Sequence, residues 1–453
     1  MGQWFGTDGI RGAVDSAIFG DPFLTAFARG LVRYLHLTSG SDSIRIVIGR
    51  DTRASGTRIV GLLSEVLASC GVEVFDGGIV PTPAVAIGIN ECAAHLGIAV
   101  TASHNPASDN GLKLFNADGC KFSVEEETMI EEAIAVELCD ERSDGNEHRR
   151  GSIQSIDLLH QYIQYVIGLK RYPNLKGMRI VLDTANGAAC VSSANVLKQL
   201  GAELIQVGHH PDGSNINELV GSEHPEKLGR RVVEEGAVLG IAHDGDGDRV
   251  VMVDGTGKVL PGDTFLGILA LHRLKEKALS MNTLVVTQMS NLGLDRAIEK
   301  AGGTVVRTGI GDREVFYAMI EGGYELGGES SGHIIVRSCL STGDGLIAAL
   351  EVLRILCLSK DTLQRWSKRI KLFPSRLVSL KVKEKKDLES IASYQERSAA
   401  VVKQLGTRGR LLVRYSGTEP KLRLLVEAET VQLVDTAMTV LENAVRDVLE
   451  VID

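Results

Sequence analysis

The sequence lacks an excess of positive charge. Against 49 Lys and Arg stand 58 Asp and Glu, a net charge of −9 with histidine neutral, and no basic stripe offsets it. That balance excludes a general nucleic-acid binder, so an anionic substrate needs positive charge gathered inside its own site. Apolar runs of membrane-spanning length are missing too, so no membrane association is expected. The N-terminal stretch has no basic segment followed by an apolar core, so no signal peptide is expected. Met1-Gly2 opens like a myristoylation motif, but Gly6 stands where that motif needs Ser or Thr. Cys-x-x-Cys does not occur. The cysteines Cys70, Cys92, Cys120, Cys139, Cys190, Cys339 and Cys357 are odd in number and widely spaced. This argues against a disulfide framework or zinc site and predicts buried free thiols in a reducing cytoplasm.

What is present is an ordinary globular composition, 44% apolar over 453 residues, a length beyond which one core stops growing. Several domains are therefore expected. The 50 glycines cluster at the ends of apolar runs, as short strand-to-helix turns require. One unit recurs three times. Arg45–Asp51 leads through a helical stretch to a second strand, Cys70–Phe75; Met178–Asp183 leads to Leu200–Ile205; Thr283–Thr287 leads to Ala301–Val306. A glycine closes each helical stretch, where a left-handed cap is wanted. Near-continuous Val/Ile/Leu strands alternating with helices predict largely parallel sheets covered on both faces.

From about Phe373 the pattern changes. Arg376–Val382 alternates apolar and polar residues, Gly409–Arg414 and Lys421–Glu427 read as two strands around a polar loop, and Val431–Val451 has helical spacing. The expected architecture is thus three related α/β domains with mixed sheets, at 1–152, 153–254 and 255–370, and a smaller α+β domain at 371–453. Glu137–Arg150 is polar and reads as an exposed loop.

The chemistry concentrates in four segments. Asp244-Gly245-Asp246-Gly247-Asp248-Arg249 lies between two apolar runs, Ala237–Ala242 and Val250–Val253. Residues two apart in an extended chain point the same way, so the three carboxylates would converge. Like charges ~4 Å apart repel by about 4 kcal/mol at an effective dielectric near 20; the group needs a cation. Oxygen-only ligands suit magnesium. An exposed acidic turn is the bland alternative, and an EF-hand is excluded because Arg249 and Gly255 stand where Gly and Glu are required.

The second segment is Thr101-Ala102-Ser103-His104-Asn105-Pro106, after the strand Leu96–Val100. Pro106 opposes helical continuation, so Ser103 lies in a turn at a strand's C-terminal end, where open α/β sheets bind ligands. Alone this is more often a plain turn. Paired with the aspartates, a phosphorylated Ser103 supplies the anionic ligand that a metal lacks. His104 and Lys113 lie close in sequence, suited to moving a proton or neutralising phosphate; a solvated lysine is the competing reading of Lys113. In the last domain, Arg414-Tyr415-Ser416-Gly417-Thr418-Glu419-Pro420 offers a guanidinium, hydroxyls and open backbone N–H groups for an oxyanion, and Arg423 adds charge. Gly327–His333 carries Glu329, Ser331 and His333, groups suited to sugar hydroxyls.

With the opening Phe5-Gly6-Thr7-Asp8-Gly9-Ile10-Arg11-Gly12 and with Pro211–Asn217, these stretches occur in one order that resembles the α-D-phosphohexomutase superfamily, most of all its bacterial amino-sugar members. The resemblance covers essentially the whole chain. It implies a heart-shaped four-domain fold with one site loop per domain. It implies a cytoplasmic enzyme in which phosphorylated Ser103 converts glucosamine 6-phosphate to glucosamine 1-phosphate through a 1,6-bisphosphate, supplying UDP-N-acetylglucosamine synthesis. By that resemblance Ser103, Asp244, Asp246 and Asp248 hold one Mg²⁺. Arg11 and Arg249 neutralise the transferring phosphate. Glu329, Ser331 and His333 bind the sugar, and Arg414, Ser416, Gly417, Thr418 and Arg423 hold the resting phosphate. The general acid and base stay open among His104, Lys113 and His333, and a homodimer is compatible. Ser330 replaces a Gln usual in the sugar loop, and Ala107 and Ser108 replace a common aromatic. A phosphomannomutase or phosphoglucomutase of the same fold, a metal-dependent sugar phosphatase, and a sugar-phosphate sensor are the alternatives.

Overall fold

Fully buried strands form the centre of the first three sheets. A computed structural model describes residues 3–6, 8–41, 43–139, 150–416 and 420–452. Two compact units are separable: residues 1–289 with 303–368, and residues 290–302 with 369–453.

The first unit begins with a six-stranded sheet of β1 (Ile10–Ala13), β2 (Arg45–Arg50), β3 (Glu73–Ile79), β4 (Leu96–Val100), β5 (Asp109–Asn116) and β6 (Ile153–Ser155), in the order β1-β5-β4-β2-β3-β6. Strands β4, β2, β3 and β6 run parallel, while β5 is antiparallel to both β4 and β1. The helices are α1 (Asp21–Ser39), α2 (Ala54–Ser69), α3 (Thr82–Glu91), α4 (Val124–Cys139) and α5 (Leu158–Gly168). In α1, Phe23, Phe27, Leu31 and Leu35 recur every fourth residue, and all are buried; this stripe docks the helix. Gly40, at φ 60°, ends it in the left-handed region.

A second sheet, in the order β11-β10-β9-β7-β8, comprises β7 (Arg179–Asp183), β8 (Glu203–Val207), β9 (Leu239–His243), β10 (Val250–Asp254) and β11 (Val259–Leu260), with α6 (Ala189–Gln199) and α7 (Pro225–Glu234). After α8 (Gly262–Lys275) a third sheet runs β13-β12-β14-β15, from β12 (Thr283–Thr287), β13 (Thr304–Thr308), β14 (Leu326–Gly328) and β15 (Ile334–Val336). Here α9 (Leu292–Lys300) belongs to the second unit, and α10 (Asp312–Glu321), α11 (Gly345–Ser359) and α12 (Leu363–Ser367) to the first. All three sheets combine parallel pairs with an antiparallel hairpin, β4–β5, β9–β10 and β14–β15. The sheets are therefore mixed, as the expected architecture has them, with parallel strands at the centre of each.

In each repeat the second strand starts later than the sequence pattern suggests, at Glu73, Glu203 and Thr304. The preceding residues form the turn around Gly71, Gly201 and Gly302, whose φ values are 88°, 94° and 83°. The stretch expected as a loop from Glu137 is helical to Cys139, and 140–149 lie outside the described residues. Of the cysteines, all free and all expected to be buried, Cys339 is buried, Cys139 is exposed and the other five are half-buried; Cys70 and Cys120 pack against the edges of hydrophobic clusters. No described helix is long and apolar enough to cross a membrane.

The second unit holds the sheet β17-β18-β16-β19, from β16 (Ser375–Val382), β17 (Gly409–Tyr415), β18 (Lys421–Ala428) and β19 (Val451–Ile452), entirely antiparallel. It is backed by α13 (Ala392–Leu405) and α14 (Val431–Arg446). The helix expected through Val451 stops at Arg446, because Val451 pairs with Val382 at the sheet edge. Helix α9 joins this unit through reciprocal bonds between Asn291 and Phe373: Asn291 Nδ2 donates to the Phe373 carbonyl at 3.0 Å, and the Phe373 N–H to Asn291 Oδ1 at 2.8 Å.

Asp344 caps α11, accepting the Ile347 N–H at 2.9 Å, and Tyr162 Oη donates to its Oδ2 at 3.0 Å. Burial raises this carboxyl from 3.8 to about 6, against the opposing hydrogen bonds. The native state thus holds the proton more tightly than the unfolded chain. Stability is greatest below the unfolded value and falls as pH rises towards 6, by on the order of 3 kcal/mol. Asp344→Asn keeps a cap oxygen and removes the charge. Its thermal midpoint is expected to lose this decline between about pH 4 and pH 6; a variant that retains the wild-type slope would reject the assignment.

Candidate active site

The three hairpins carry the chemistry of the first unit. Ser103 lies in the turn between β4 and β5, fully buried, with φ 53°. A non-glycine residue there is strained by about 1 kcal/mol or more, so something must hold it. The Ser103 N–H donates to Thr101 Oγ1 at 3.0 Å, and that hydroxyl donates to Asp51 Oδ2 at 2.6 Å. Arg53, fully buried, pairs with Asp51 at 2.9 Å and spreads its guanidinium over the turn's carbonyls. It donates to Ser103 at 3.1 Å, Asn105 at 2.8 Å and Asp109 at 2.9 Å, and also to Pro106. Asn217 Nδ2 reaches the Ser103 and Asn105 carbonyls at 2.8 and 3.0 Å.

The aspartate loop joins β9 to β10. Its carboxylates converge, but through a turn rather than by extended alternation: the Gly247 N–H bonds to the Asp244 carbonyl at 3.1 Å, and Gly247 has φ 73°. A Cβ on Gly245 would lie 2.6 Å from the Ser103 carbonyl oxygen, so the missing side chain lets the two loops touch. Ser103 Oγ donates to Asp244 Oδ2 at 2.5 Å. All three aspartates are buried, and one ligand oxygen from each lies within 4.8 Å of the others, close enough to hold a metal ion. Asp246 Oδ1 and Asp248 Oδ1 are buried without a hydrogen-bond partner. Oxygen-only donors with spare lone pairs fit a hard divalent cation.

Lys113, on β5, is fully buried and donates to Asp246 Oδ2 at 2.8 Å and Asp248 Oδ2 at 2.7 Å, with Asp8 at 3.1 Å. Burial pulls its ammonium down, but Asp246, Asp248 and Asp8 outweigh it and hold it well above its ordinary value. Asp244 is the reverse case: burial, then Asp246 and Asp248, push its carboxyl well above the usual carboxylate range. Burial also opposes ionisation of Asp248, but Lys113 and His333 prevail and hold it low.

The third hairpin, β14 to β15, brings Glu329, Ser331 and His333. Arg249 and His333 form an isolated antiparallel bridge, and the Val250 N–H bonds to the Gly332 carbonyl at 3.1 Å, stitching this loop to the aspartate loop. His333 lies between Asp248, at 3.7 Å, and Asp312, at 3.3 Å. Those two carboxylates overcome burial and raise its imidazole. His104 shifts the other way: burial, then Arg249, lower it, and its Nδ1 is buried without a partner. Glu329 accepts the Gly311 N–H at 3.3 Å, and Ser331 Oγ is buried without a partner. Arg11 pairs with Asp8 and feels Asp246 and Asp248.

In the second unit, Arg414 and Arg423 stand directly opposite one another on β17 and β18. Like charges in that register repel, and Arg414 Nε is buried without a partner; the pair suits an anion. Ser416 follows, its N–H bonded to the Lys421 carbonyl at 2.7 Å. Gly417 and Thr418 lie outside the described residues.

Sequence reasoning overlooked Asp51, Arg53, Thr101 and Asn217, which hold the serine turn, and Asp8, Lys121 and Asp312, which extend the ion network. Lys121 pairs with both Asp8 and Asp312. Asp8 and Asn217 sit inside stretches already singled out as motifs; Lys121 and Asp312 stand in no motif.

Four family descriptions match the chain: phosphoglucomutase/phosphomannomutase alpha/beta/alpha domain I at residues 2–138, domain II at 160–257, domain III at 261–373, and the C-terminal domain at 377–442. The chain is 44% identical over 437 residues to the phosphoglucosamine mutase of Geobacter metallireducens, covering 95% of each. It is 38% identical over 460 residues to that of Lactococcus lactis subsp. cremoris, covering 99% of each. The fold resembles a phosphoglucomutase/phosphomannomutase family protein from Burkholderia thailandensis, with TM-score 0.80 at 23% identity over 98% of each chain. It also resembles an N-acetylphosphoglucosamine mutase from Aspergillus fumigatus, solved with GlcNAc-6P and magnesium, with TM-score 0.68 at 19% identity, covering 98% of this chain and 95% of that one.

Lys113 neutralises the same carboxylates that offer their other oxygens to a cation. Lys113→Met is therefore expected to bind a divalent cation about tenfold more tightly by calorimetric titration, and Asp246→Asn about tenfold more weakly. The opposite order of affinities would reject this geometry.

Proposed function

Because the chain belongs to the phosphoglucomutase/phosphomannomutase family, we propose that it is a cytoplasmic phosphoglucosamine mutase, interconverting glucosamine 6-phosphate and glucosamine 1-phosphate. The observation that carries this reading is the bond from Ser103 Oγ to Asp244 within the buried aspartate cluster. The names of the full-length relatives support the amino-sugar substrate.

Asp244, Asp246, Asp248 and phosphorylated Ser103 would hold Mg²⁺, which when bound lowers the negative charge that the transferring phosphoryl group presents. The bond from phosphorus to Ser103 Oγ breaks and a bond to the sugar O1 forms, giving the 1,6-bisphosphate. His104 is kept neutral by burial and Arg249, which suits it to take the O1 proton. After the bisphosphate turns end for end, Ser103 Oγ takes the phosphoryl from O6, and His104 returns its proton there. Lys113, Arg11 and Arg249 stay charged and meet the transferring oxygens. Phosphoryl transfer is mostly positioning and charge stabilisation, so this set suffices. Glu329, Ser331 and His333 bind sugar hydroxyls. Arg414, Ser416 and Arg423, with Gly417 and Thr418, bind a phosphate group.

Incubation with glucosamine 1,6-bisphosphate is expected to add one phosphoryl mass to the protein, on Ser103. Ser103→Ala should keep its thermal midpoint and lose turnover at least ~10³-fold. Among hexose and hexosamine 6-phosphates, kcat/KM should be highest for glucosamine 6-phosphate. An unmodified Ser103, or a higher kcat/KM for mannose or glucose phosphate, would defeat the proposal.

A further inference from the structure

One buried carboxylate outside the site described above is shared by three arginines. Glu351, on α11, is fully buried. Its Oε1 lies 2.8 Å from Arg171 Nε, and its Oε2 lies 3.5 Å from Arg273 and 3.3 Å from Arg354. Among the described residues none of the three guanidiniums pairs with a second carboxylate, so one negative charge answers three positive ones. Beside them opens a cavity of about 350 Å³ between the end of α8 and α11. Arg273, Arg354, Lys275, His272, Glu276 and Trp366 line it. Arg273 is only 5% exposed, and Arg354 Nε is buried with no hydrogen-bond partner.

The bland account is that the last turn of α8 collects cations to offset its own dipole. That dipole amounts to roughly half a negative charge. With Glu276 and Glu351 added, it still falls short of Arg273, Lys275 and Arg354 at the cavity together with Arg171, which shares Glu351. A buried Arg354 Nε without a partner, beside Arg273 and Lys275 at the same cavity, favours an anion with several acceptor oxygens. The cavity is too small for a macromolecular segment of any length, and it opens on the exposed Lys275.

We propose that this cavity binds a phosphate dianion, free or carried by a small phosphate ester, between Arg273, Arg354 and Lys275. The site is separate from the aspartate cluster and shares no residue with it. It provides the countercharge that Glu351 alone does not, tying α8 to α11.

Trp366 reports on it. Its ring meets His272 edge-on, with centroids 6.2 Å apart. His272 is lowered by burial and by Arg354, so an anion arriving at Arg354 favours imidazole protonation, and a protonated imidazole quenches an adjacent indole. The chain has two tryptophans, and Trp4→Phe leaves Trp366 as the single emitter. Titration of this full-length protein with inorganic phosphate, and separately with glycerol phosphate, at constant ionic strength is expected to give saturable quenching with a millimolar midpoint. Arg354→Met in the same background should weaken it at least tenfold, and Lys275→Gln, at the exposed lip and neutral for folding, several-fold. Tighter binding of the ester identifies an ester as ligand, and tighter binding of inorganic phosphate identifies the free ion. No saturable change, or quenching that Lys275→Gln and Arg354→Met both leave intact, overturns the proposal.

Discussion

Three carboxylates buried within 4.8 Å of one another are the constraint around which the first unit is arranged. In a medium of low polarity they cannot all be ionised without cations among them. The protein supplies part of the answer itself. Lys113 reaches between Asp246 and Asp248, Arg249 follows them in sequence, and His333 approaches Asp248 from the third hairpin. The remainder is left to an ion. Two carboxylate oxygens without partners face no protein donor, so the fold carries a standing cost that cation binding relieves. Ser103 is drawn into the same balance, because its hydroxyl donates to the aspartate most averse to losing a proton.

Topology explains how residues so distant in sequence meet. Each of the first three sheets ends in an antiparallel hairpin after parallel strands, and each hairpin turn carries one part of the site. A parallel strand leaves its loop at the carboxyl edge, where ligands bind in open α/β sheets. The reversal into a neighbouring strand keeps that loop short and pinned at both ends. Close approach then falls to glycine. Gly245 admits the Ser103 carbonyl, and a Cβ on Gly345 would strike the Arg249 carbonyl oxygen at 2.2 Å. The loops are positioned by backbone contact before any side chain acts.

This geometry explains which parts of the site the sequence made legible. Three alternating aspartates advertise themselves because no ordinary surface needs them, and a serine before His-Asn-Pro marks a turn. The strand interiors were readable from unbroken apolar runs, and β4 matches its expected span, Leu96–Val100. What stayed hidden is what depends on distance alone. Arg53, at the start of an ordinary helix, reads as a solvated cation, yet it is fully buried and holds the carbonyls of the serine turn. Lys121 and Asp312 are 191 positions apart by their numbering and acquire meaning only by pairing. The strand onsets lie later than the pattern suggests because Val72 and Ala202 look like strand residues while serving as the exit of the turn at Gly71 and Gly201.

The ion network also bears on order of events. Asp8, Asp244, Asp246, Asp248, Asp312 and Glu329 face Arg11, Lys113, Lys121, Arg249 and His333. With a proton on Asp244, the carboxylate readiest to keep one, the two signs balance and the site has no strong pull on a sugar phosphate. A divalent cation that displaces this proton turns the balance positive by one charge, and a phosphoryl dianion on Ser103 then carries it one charge below neutral. Each charge is stable only in the presence of the other. The two are therefore expected to bind with mutual reinforcement, and losing either returns Asp244 to its proton. A centre that stays within one charge of neutral, empty or filled, is one that can release and recover a phosphoryl group without passing through a deep electrostatic trap.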